Sequence, residues 1–140
     1  MNFYLKKIDG QDWRAMSKPA HQITFGEIRD PDIDRIDFSL ITVDDKGEIA
    51  GYVTCIEMDR ETVYWQHGGA MPEYKGSIYN LKGYTLGINW CREQYKRIST
   101  KIENTNTVML KFALKQGFTI VGTHTFKNKI YVDLLNEFGG

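Results

Sequence analysis

Residues 106–118, NTVMLKFALKQGF, contain the most complete helix signature in the sequence. Asn106 can cap a helix over residues 107–116, because its side-chain oxygen can accept a hydrogen bond from a backbone N–H of the first turn. Met109, Ala113 and Gln116 then share one face of that helix. Gly117 suits the position just after the helix, where the backbone often becomes left-handed. The stretch therefore predicts a short helix with a defined start and end.

Strands are predicted on both sides of this helix. Residues 96–102 precede it, and residues 118–126 and 130–135 follow it as a hairpin that turns at Lys127-Asn128-Lys129. We expect the last of these strands to lie at an exposed edge, where it could pair with a second copy across a two-fold axis. The C-terminal part of the chain therefore predicts a strand, a helix and a closing hairpin.

A second helix is predicted further upstream. Five apolar residues recur at spacings of three and four, which is the period of one helix face: Leu81, Tyr84, Ile88, Cys91 and Tyr95. They predict a helix from about Tyr79 to Tyr95. Gly83 and Gly87 lie inside it and cost about 1 kcal/mol each relative to alanine. We therefore expect this helix to pack closely on a sheet.

The N-terminal half predicts mainly strands. Apolar or alternating segments bounded by turn residues indicate strands at residues 3–8, 38–43, 49–58 and 62–70, and short helices at residues 9–18 and 23–28. Gly47 ends the turn between the second and third of these strands, because glycine readily adopts positive φ. The complete order, β-α-α-β-β-β-α-β-α-β-β, predicts an α/β fold in a single domain, residues 1–140. Its central sheet is expected to be mixed, mostly antiparallel, with about seven strands flanked by helices.

Two segments resemble motifs of the GCN5-related N-acetyltransferase (GNAT) superfamily, and the element order agrees with that fold. Residues 106–118 resemble the family's Asn-led helix that ends in Gly-Phe, and residues 71–76, MPEYKG, resemble its segment between the central strand and the cofactor helix. The chain looks like a divergent, phage-type member. The resemblance implies the GNAT-like acyl-CoA N-acyltransferase fold, acetyl-CoA as cofactor, and direct acetyl transfer to a primary amine of a small molecule or a protein.

The resemblance also implies where the cofactor binds. A loop that enters a helix N-terminus offers backbone N–H groups to a pyrophosphate, and a bulge at Gly68-Gly69 would expose backbone groups to the pantetheine arm. The implied cofactor-binding residues are Gly69, Ala70, Met71, Lys75, Gly76, Ser77, Ile78, Tyr79, Asn80, Asn106 and Phe112. The sequence departs from the family at Ile78 and Asn80, where the family has small residues, and at Ala113, where it often has a tyrosine.

The candidate catalytic residues are His67, Glu57 and Tyr79. Acetylation needs a neutral amine, so a base must remove a proton near the thioester. Imidazole, with an unperturbed pKa of about 6.5, suits this task in His67, although a strand histidine bonded to a neighbour is the alternative. Glu57 is a second candidate base, or the polar side of a strand. Tyr79 could protonate the leaving thiolate, whereas Tyr84, on the apolar face of the helix, is expected in the core.

Composition limits the classes of partner. The 140 residues contain 18 basic and 18 acidic side chains, which argues against nucleic-acid binding. No segment has the length and apolarity of a membrane span or a signal peptide, so a cytoplasmic location is expected. Cys55 and Cys91 lack metal-ligand spacing, and no metal is predicted. The acidic residues between Glu27 and Asp37 could attract a cationic amine, or form a solvated loop.

The sequence leaves two main functions open. One is an acetyl-CoA-dependent N-acetyltransferase with an amine acceptor, and a homodimer is a further prediction. The other is a non-catalytic interaction or structural protein on the same fold, with a degraded cofactor site, because fold alone does not determine function. A third hypothesis is a protein that binds a different acyl or nucleotide ligand in the same cleft.

Overall fold

The computed structural model describes residues 2–13, 35–70 and 78–138. In these residues, seven strands and two helices follow one another as β1 Tyr4–Asp9, β2 Phe38–Val43, β3 Ile49–Glu57, β4 Thr62–Ala70, α1 Ile78–Gln94, β5 Arg97–Glu103, α2 Thr107–Lys115, β6 Thr119–Phe126 and β7 Lys129–Glu137. Residues 10–13 form the described part of the helix predicted at residues 9–18. The helix predicted at residues 23–28 lies outside the described residues, as does most of the acidic stretch.

The strands form one seven-stranded sheet in the order β1-β2-β3-β4-β5-β7-β6. β4 and β5 pair in parallel, whereas β1–β2, β2–β3, β5–β7 and β6–β7 pair antiparallel. The predicted mixed, mostly antiparallel sheet flanked by helices is confirmed.

The position predicted for the last strand is wrong. β7 lies between β5 and β6, so β6 is the edge strand. The physical reason is burial: Leu134 and Asn136 of β7 are buried, whereas only Gly122 of β6 is even half-buried. The strand that contributes to the core takes the interior position.

The chain divides into two compact units, the first made of residues 1–56 and 67–87. Its described core contains a cluster of buried side chains: Trp13, Ile36, Ile41, Val43 and Tyr52. The rings of Trp13 and Tyr52 lie 4.9 Å apart. On α1, a Cβ added to Gly83 would lie 2.7 Å from Thr42 Oγ1 of β2. This contact explains the glycine, since α1 approaches β2 more closely than a side chain would allow.

The second unit contains residues 57–66 and 88–140. Its buried side chains come from both strands and helices: Val63, Trp65, Cys91, Ile98, Ala113, Phe118 and Leu134. α2 begins and ends as predicted. Asn106 Oδ1 accepts a hydrogen bond from the backbone N–H of Met109 at 3.3 Å, and Gly117 has a φ of +97°. These caps fix the helix between β5 and β6.

Two turns also follow their predicted chemistry. Gly47 has a φ of +81° in the turn between β2 and β3, and Lys127 and Asn128 have positive φ between β6 and β7. Two consecutive left-handed residues match the right-handed twist of the strands that they join. The β6–β7 hairpin therefore closes tightly.

Candidate functional site

The candidate site begins where β4 stops pairing with β5. Thr62–Trp65 of β4 are paired with Arg97–Thr100 of β5, and Thr100 Oγ1 donates to the Trp65 carbonyl at 3.1 Å. β4 continues to Ala70, and among the described residues its last five do not pair with β5. Their backbone groups on that edge are therefore suited to pairing with a ligand that resembles a strand.

The backbone is irregular at His67. The Thr54 hydroxyl accepts from the His67 N–H at 3.2 Å and donates to the His67 carbonyl at 3.4 Å. A side chain thus takes a position that backbone groups occupy in a regular ladder. The sequence predicts a bulge at Gly68-Gly69, and the structure places the irregularity at His67, beside those glycines.

The side chains of β4 show the same irregularity. Trp65 contacts Cys91 of α1, and a Cβ on Gly68 would lie 2.7 Å from Tyr84 Oη, also on α1. Residues three apart in a regular strand point to opposite faces. Since residues 65 and 68 both point toward α1, the alternation of side chains is interrupted between them.

Tyr84, expected in the core, is half-buried on α1. Burial raises the pKa of its phenol to about 12, and its hydroxyl lies against Gly68. A phenol in this position holds its proton through the physiological range. Tyr84 therefore supports the packing of α1 on β4.

The start of α1 has the electrostatic character that an anion needs. The helix begins at Ile78, and its first turn contains no acidic residue. The first backbone N–H groups of a helix lack intrahelical partners and carry its positive partial charge. Residues 78–80 belong to the first turn of the helix, so their backbone N–H groups are among these donors.

Several predicted cofactor residues lie outside the described part of the chain: Met71, Lys75, Gly76 and Ser77. The side chains of Ala70, Ile78, Tyr79 and Asn80 are not described either, and only their backbone assignments are given. The predicted roles of these residues remain predictions.

The remaining predicted residues have defined environments. Gly69 and His67 are half-buried on β4, Phe112 is half-buried on α2, and Asn106 is exposed at the cap of α2. Glu57 is exposed at the end of β3 and accepts a hydrogen bond from Tyr95 Oη at 3.2 Å. Ala113, at the position of the family's frequent tyrosine, is buried.

Gln66 is a polar residue that the sequence did not single out. Its Oε1 atom is buried, and no donor among the described residues reaches it. A glutamine in a strand usually indicates only a polar face, so no sequence signal distinguished it. The structure places it directly between the paired part of β4 and His67.

A small pocket lies in the first unit, beside Gly69. It is lined by Leu5, Leu40, Thr42, Ala50, Gly51, Tyr52, Val53, Gly69, Gly83 and Tyr84, with a volume of about 20 Å³. That volume holds about one water molecule. It is too small for a cofactor. Three of its lining residues, Gly51, Gly69 and Gly83, have no side chain that could fill it.

The described residues contain neither a metal cluster nor a reactive thiol. No group of three or more His, Cys, Asp or Glu side chains among them could hold a metal ion. Cys55 and Cys91 are buried, and burial raises the pKa of the Cys91 thiol to about 12, with the neighbouring Trp65 side chain acting in the opposite direction. None of the described helices is long and apolar enough to cross a membrane.

Comparison with known proteins supports the relationship suggested by this geometry. The sequence model of the Acetyltransferase (GNAT) family matches residues 5–118. The chain belongs to the GNAT acetyltransferase family. A search of the curated proteins gave no match.

Solved GNAT structures share the fold over nearly the whole chain. The ribosomal-protein-S18-alanine N-acetyltransferase of Escherichia coli has a TM-score of 0.79 at 7% identity, covering 99% of this chain and 96% of its own. Mutant forms of the spermidine/spermine N-acetyltransferase SpeG of Vibrio cholerae give 0.74 at 12% identity, covering 97% and 95%. The Salmonella typhimurium protein yncA, solved with its cofactor acetyl-CoA, gives 0.71 at 15% identity, covering 100% and 96%. At these identities the similarity concerns the fold.

Acetyl-CoA is the cofactor of GNAT acetyltransferases, and the described residues fit it. The N-terminus of α1 has no carboxylate in its first turn to oppose a pyrophosphate. The second half of β4 carries Gly68 and Gly69 beyond the pairing with β5, where a pantetheine arm could form strand-like hydrogen bonds. The GNAT cofactor and this part of the chain are therefore chemically compatible.

Proposed function

We propose that this GNAT protein is an N-acetyltransferase that transfers the acetyl group of acetyl-CoA directly to a primary amine of a small molecule or a protein. The proposal takes residues 1–140 as one domain and expects it in the cytoplasm. The observation that carries it is the extension of β4 to Ala70, five residues beyond its pairing with β5. Bound acetyl-CoA would supply the thioester, whose acetyl carbonyl carbon an amine nitrogen can attack.

We assign cofactor binding and proton transfer to residues of the chain itself. Backbone groups of Gln66–Ala70 hold the pantetheine arm, and the N–H groups at the start of α1 hold the pyrophosphate, with Lys75, Gly76 and Ser77 in the preceding loop. His67 removes a proton from the amine, with Glu57 as the second candidate base. Tyr79 donates a proton to the leaving thiolate. Asn106 and Phe112 complete the proposed cofactor contacts.

The first test is acetyl-CoA binding by calorimetry, with desulfo-CoA and ATP as controls. We expect micromolar affinity, about −8 kcal/mol. Gly76→Trp is expected to abolish binding while the thermal midpoint is retained, because the side chain would fill the phosphate loop implied by the family. An absence of wild-type binding at millimolar acetyl-CoA would contradict the proposal and favour a non-catalytic protein on this fold.

The second test concerns the base. We expect His67→Ala to lower kcat by about 10²–10⁴-fold, the usual contribution of a general base, with the acetyl-CoA affinity unchanged. His124→Ala is the matched control, since His124 is an exposed histidine that bonds to Asp133 at 2.9 Å. Full activity of His67→Ala would transfer the role to Glu57, which Glu57→Gln then tests.

We also propose a homodimer, formed through β6 and not through the last strand. β6 is an edge strand, and its Ile120, Val121 and Phe126 side chains are exposed. The opposite edge, β1, carries Lys6 and Lys7, which discourage pairing. Val121→Lys should convert a dimer into a monomer in sedimentation velocity, whereas a monomeric wild-type protein would contradict the proposal.

A further inference from the structure

The sheet of the second unit has a face that points away from α2, here called the outer face. Asn136 of β7 is buried on the opposite side, where its Nδ2 donates to the Gln116 carbonyl at the end of α2. Side chains alternate along a strand, so Tyr131 and Asp133 lie on the outer face. Lys101 of β5 is paired directly with Asp133 and shares that face. All three outer-face side chains are half-buried.

Lys101 has no carboxylate partner among the described residues. Its Nζ lies 5.0 Å from the ring centre of Tyr131 and 5.9 Å from that of Phe126. Asp133 is opposite it on β7, but the Asp133 carboxylate lies 2.9 Å from His124 Nδ1. A ring attracts an ammonium group through its π electrons, and the ammonium group also has three N–H donors. These donors are therefore available to an anion.

The acidic side chains near Lys101 are already paired. Asp133 is bonded to His124, and Glu103, two residues after Lys101, lies 4.0 Å from Lys129 Nζ. A ligand cation would meet the positive charge of Lys101, with neither carboxylate unpaired to offset it. This part of the outer face therefore suits a carboxylate better than an ammonium group.

The outer face extends from β7 across β5 to β4. Tyr64 of β4 is paired with Ser99, two residues before Lys101. Burial raises the pKa of the Tyr64 phenol, and the negative charge of Asp133 raises it further, which indicates that both residues lie on the same side of the sheet. Three neighbouring strands thus contribute to one continuous surface.

This surface borders the split between β4 and β5. Trp65 and Thr100 are the last paired residues, so within this unit Gln66 and Lys101 are the first residues on either side of the split. The pantetheine arm is proposed on the β4 backbone from Gln66 onward. Lys101 is half-buried and Phe126 beside it is 53% exposed, so a ligand can reach the ammonium group from solvent. A molecule bound at Lys101 therefore lies next to the proposed cofactor arm.

We propose that the acetyl acceptor carries a carboxylate as well as its primary amine, and that Lys101 binds this carboxylate; the inference rests on the proposed function. In the reaction, the amine nitrogen bonds to the acetyl carbon and the carbon–sulfur bond breaks. One proton leaves nitrogen for the base, and one reaches the thiolate sulfur. The carboxylate keeps its charge throughout, so its charge-assisted hydrogen bond with Lys101 contributes to substrate binding.

The test compares amino carboxylates with their primary amides as acceptors. The pairs are β-alanine, γ-aminobutyrate and ε-aminocaproate, each beside its amide, with rates expressed per neutral amine. We expect the wild type to prefer the carboxylate of at least one pair by about tenfold or more in kcat/KM, as is usual for a hydrogen bond to a charged group. The pair with the largest preference measures the span from Lys101 to the reacting nitrogen.

Variants assign the preference to Lys101. Lys101→Met keeps an apolar stem of similar length and removes the charge, so KM for the preferred carboxylate should rise to that of its amide. KM for the amide and the acetyl-CoA affinity should not change, and Lys101→Arg should retain most of the preference. Lys127→Met is the matched control, because Lys127 Nζ also lies over the Phe126 ring, at 5.4 Å, but the residue is exposed in the turn.

The outcomes separate the two claims. A wild type that does not bind acetyl-CoA overturns the proposed function together with this inference. A wild type that acetylates carboxylates and amides equally well overturns the inference alone. The same holds where Lys101→Met lowers the thermal midpoint but keeps the preference, because Lys101 then only holds the rings together. Equal losses in Lys127→Met would indicate general surface charge, and an amino carboxylate that binds through Lys101 without being acetylated would be a separate ligand; both results overturn the inference.

Discussion

Among single residues, Gly68 is a position where a side chain conflicts directly with the fold. A Cβ there would lie 2.7 Å from Tyr84 Oη and 3.0 Å from its Cε1. An alanine at residue 68 would therefore require the Tyr84 ring to shift. We expect Gly68→Ala to lower the free energy of unfolding by about 1–3 kcal/mol, as is usual for overpacking, measured by urea denaturation.

Combining Gly68→Ala with Tyr84→Phe identifies the cause of that loss of stability. Tyr84→Phe removes the oxygen that is nearest to the added Cβ, so it should recover part of the stability lost in Gly68→Ala. Cε1 remains close, so the recovery should be incomplete. Strictly additive effects of the two substitutions would show that the contact between residues 68 and 84 is not responsible.

Among the elements, α2 depends on its N-cap. Asn106 Oδ1 accepts from the Met109 N–H at 3.3 Å, which satisfies one of the helix's unpartnered donors. Asn106→Ala should lower the free energy of unfolding by about 1 kcal/mol. Asn106→Asp should retain most of the wild-type stability, because aspartate is also a good N-cap. Asn104→Ala, at an exposed asparagine just before the cap, is the control in the same urea titration. Equal losses for Asn104→Ala and Asn106→Ala would contradict the assigned cap.

For the whole molecule, two weak acids with raised pKa values make stability depend on alkaline pH. Burial raises the pKa of Tyr84 from 10.0 to about 12 and that of Cys91 from 9.0 to about 12. The unfolded chain therefore loses these protons before the folded protein does. The stabilisation is fully present below pH 9 and is lost as the pH rises to 12, at about 1.4 kcal/mol per unit for each group.

Urea denaturation at pH 8.5, 10 and 11 checks this dependence. We expect the free energy of unfolding of the wild type to fall at each step. Cys91→Ala should be less stable at pH 8.5, because a buried side chain is shortened, but its stability should fall less steeply between pH 8.5 and 10. Parallel curves for the two proteins would mean that Cys91 ionises equally easily in the folded and unfolded states.

The sequence by itself determined the elements and the family. The period of the apolar residues indicated α1 and α2, and Asn106 and Gly117 marked the ends of α2 because capping is local chemistry. The same holds for Gly47 in its turn. The two motifs at residues 71–76 and 106–118, together with the predicted order of strands and helices, led to the GNAT fold. Both are local features of the sequence.

The tertiary structure alone decided the place of β7, the environment of Gln66 and the ionisation of Tyr84. Asn136 illustrates the reason: it is polar yet buried, because its Nδ2 donates to the Gln116 carbonyl at the end of α2, 20 residues away. Strand order, the Thr54–His67 hydrogen bonds and desolvation all arise from residues that are distant in sequence. Local patterns record which residues prefer to be buried, but only long-range packing determines which partners they meet there.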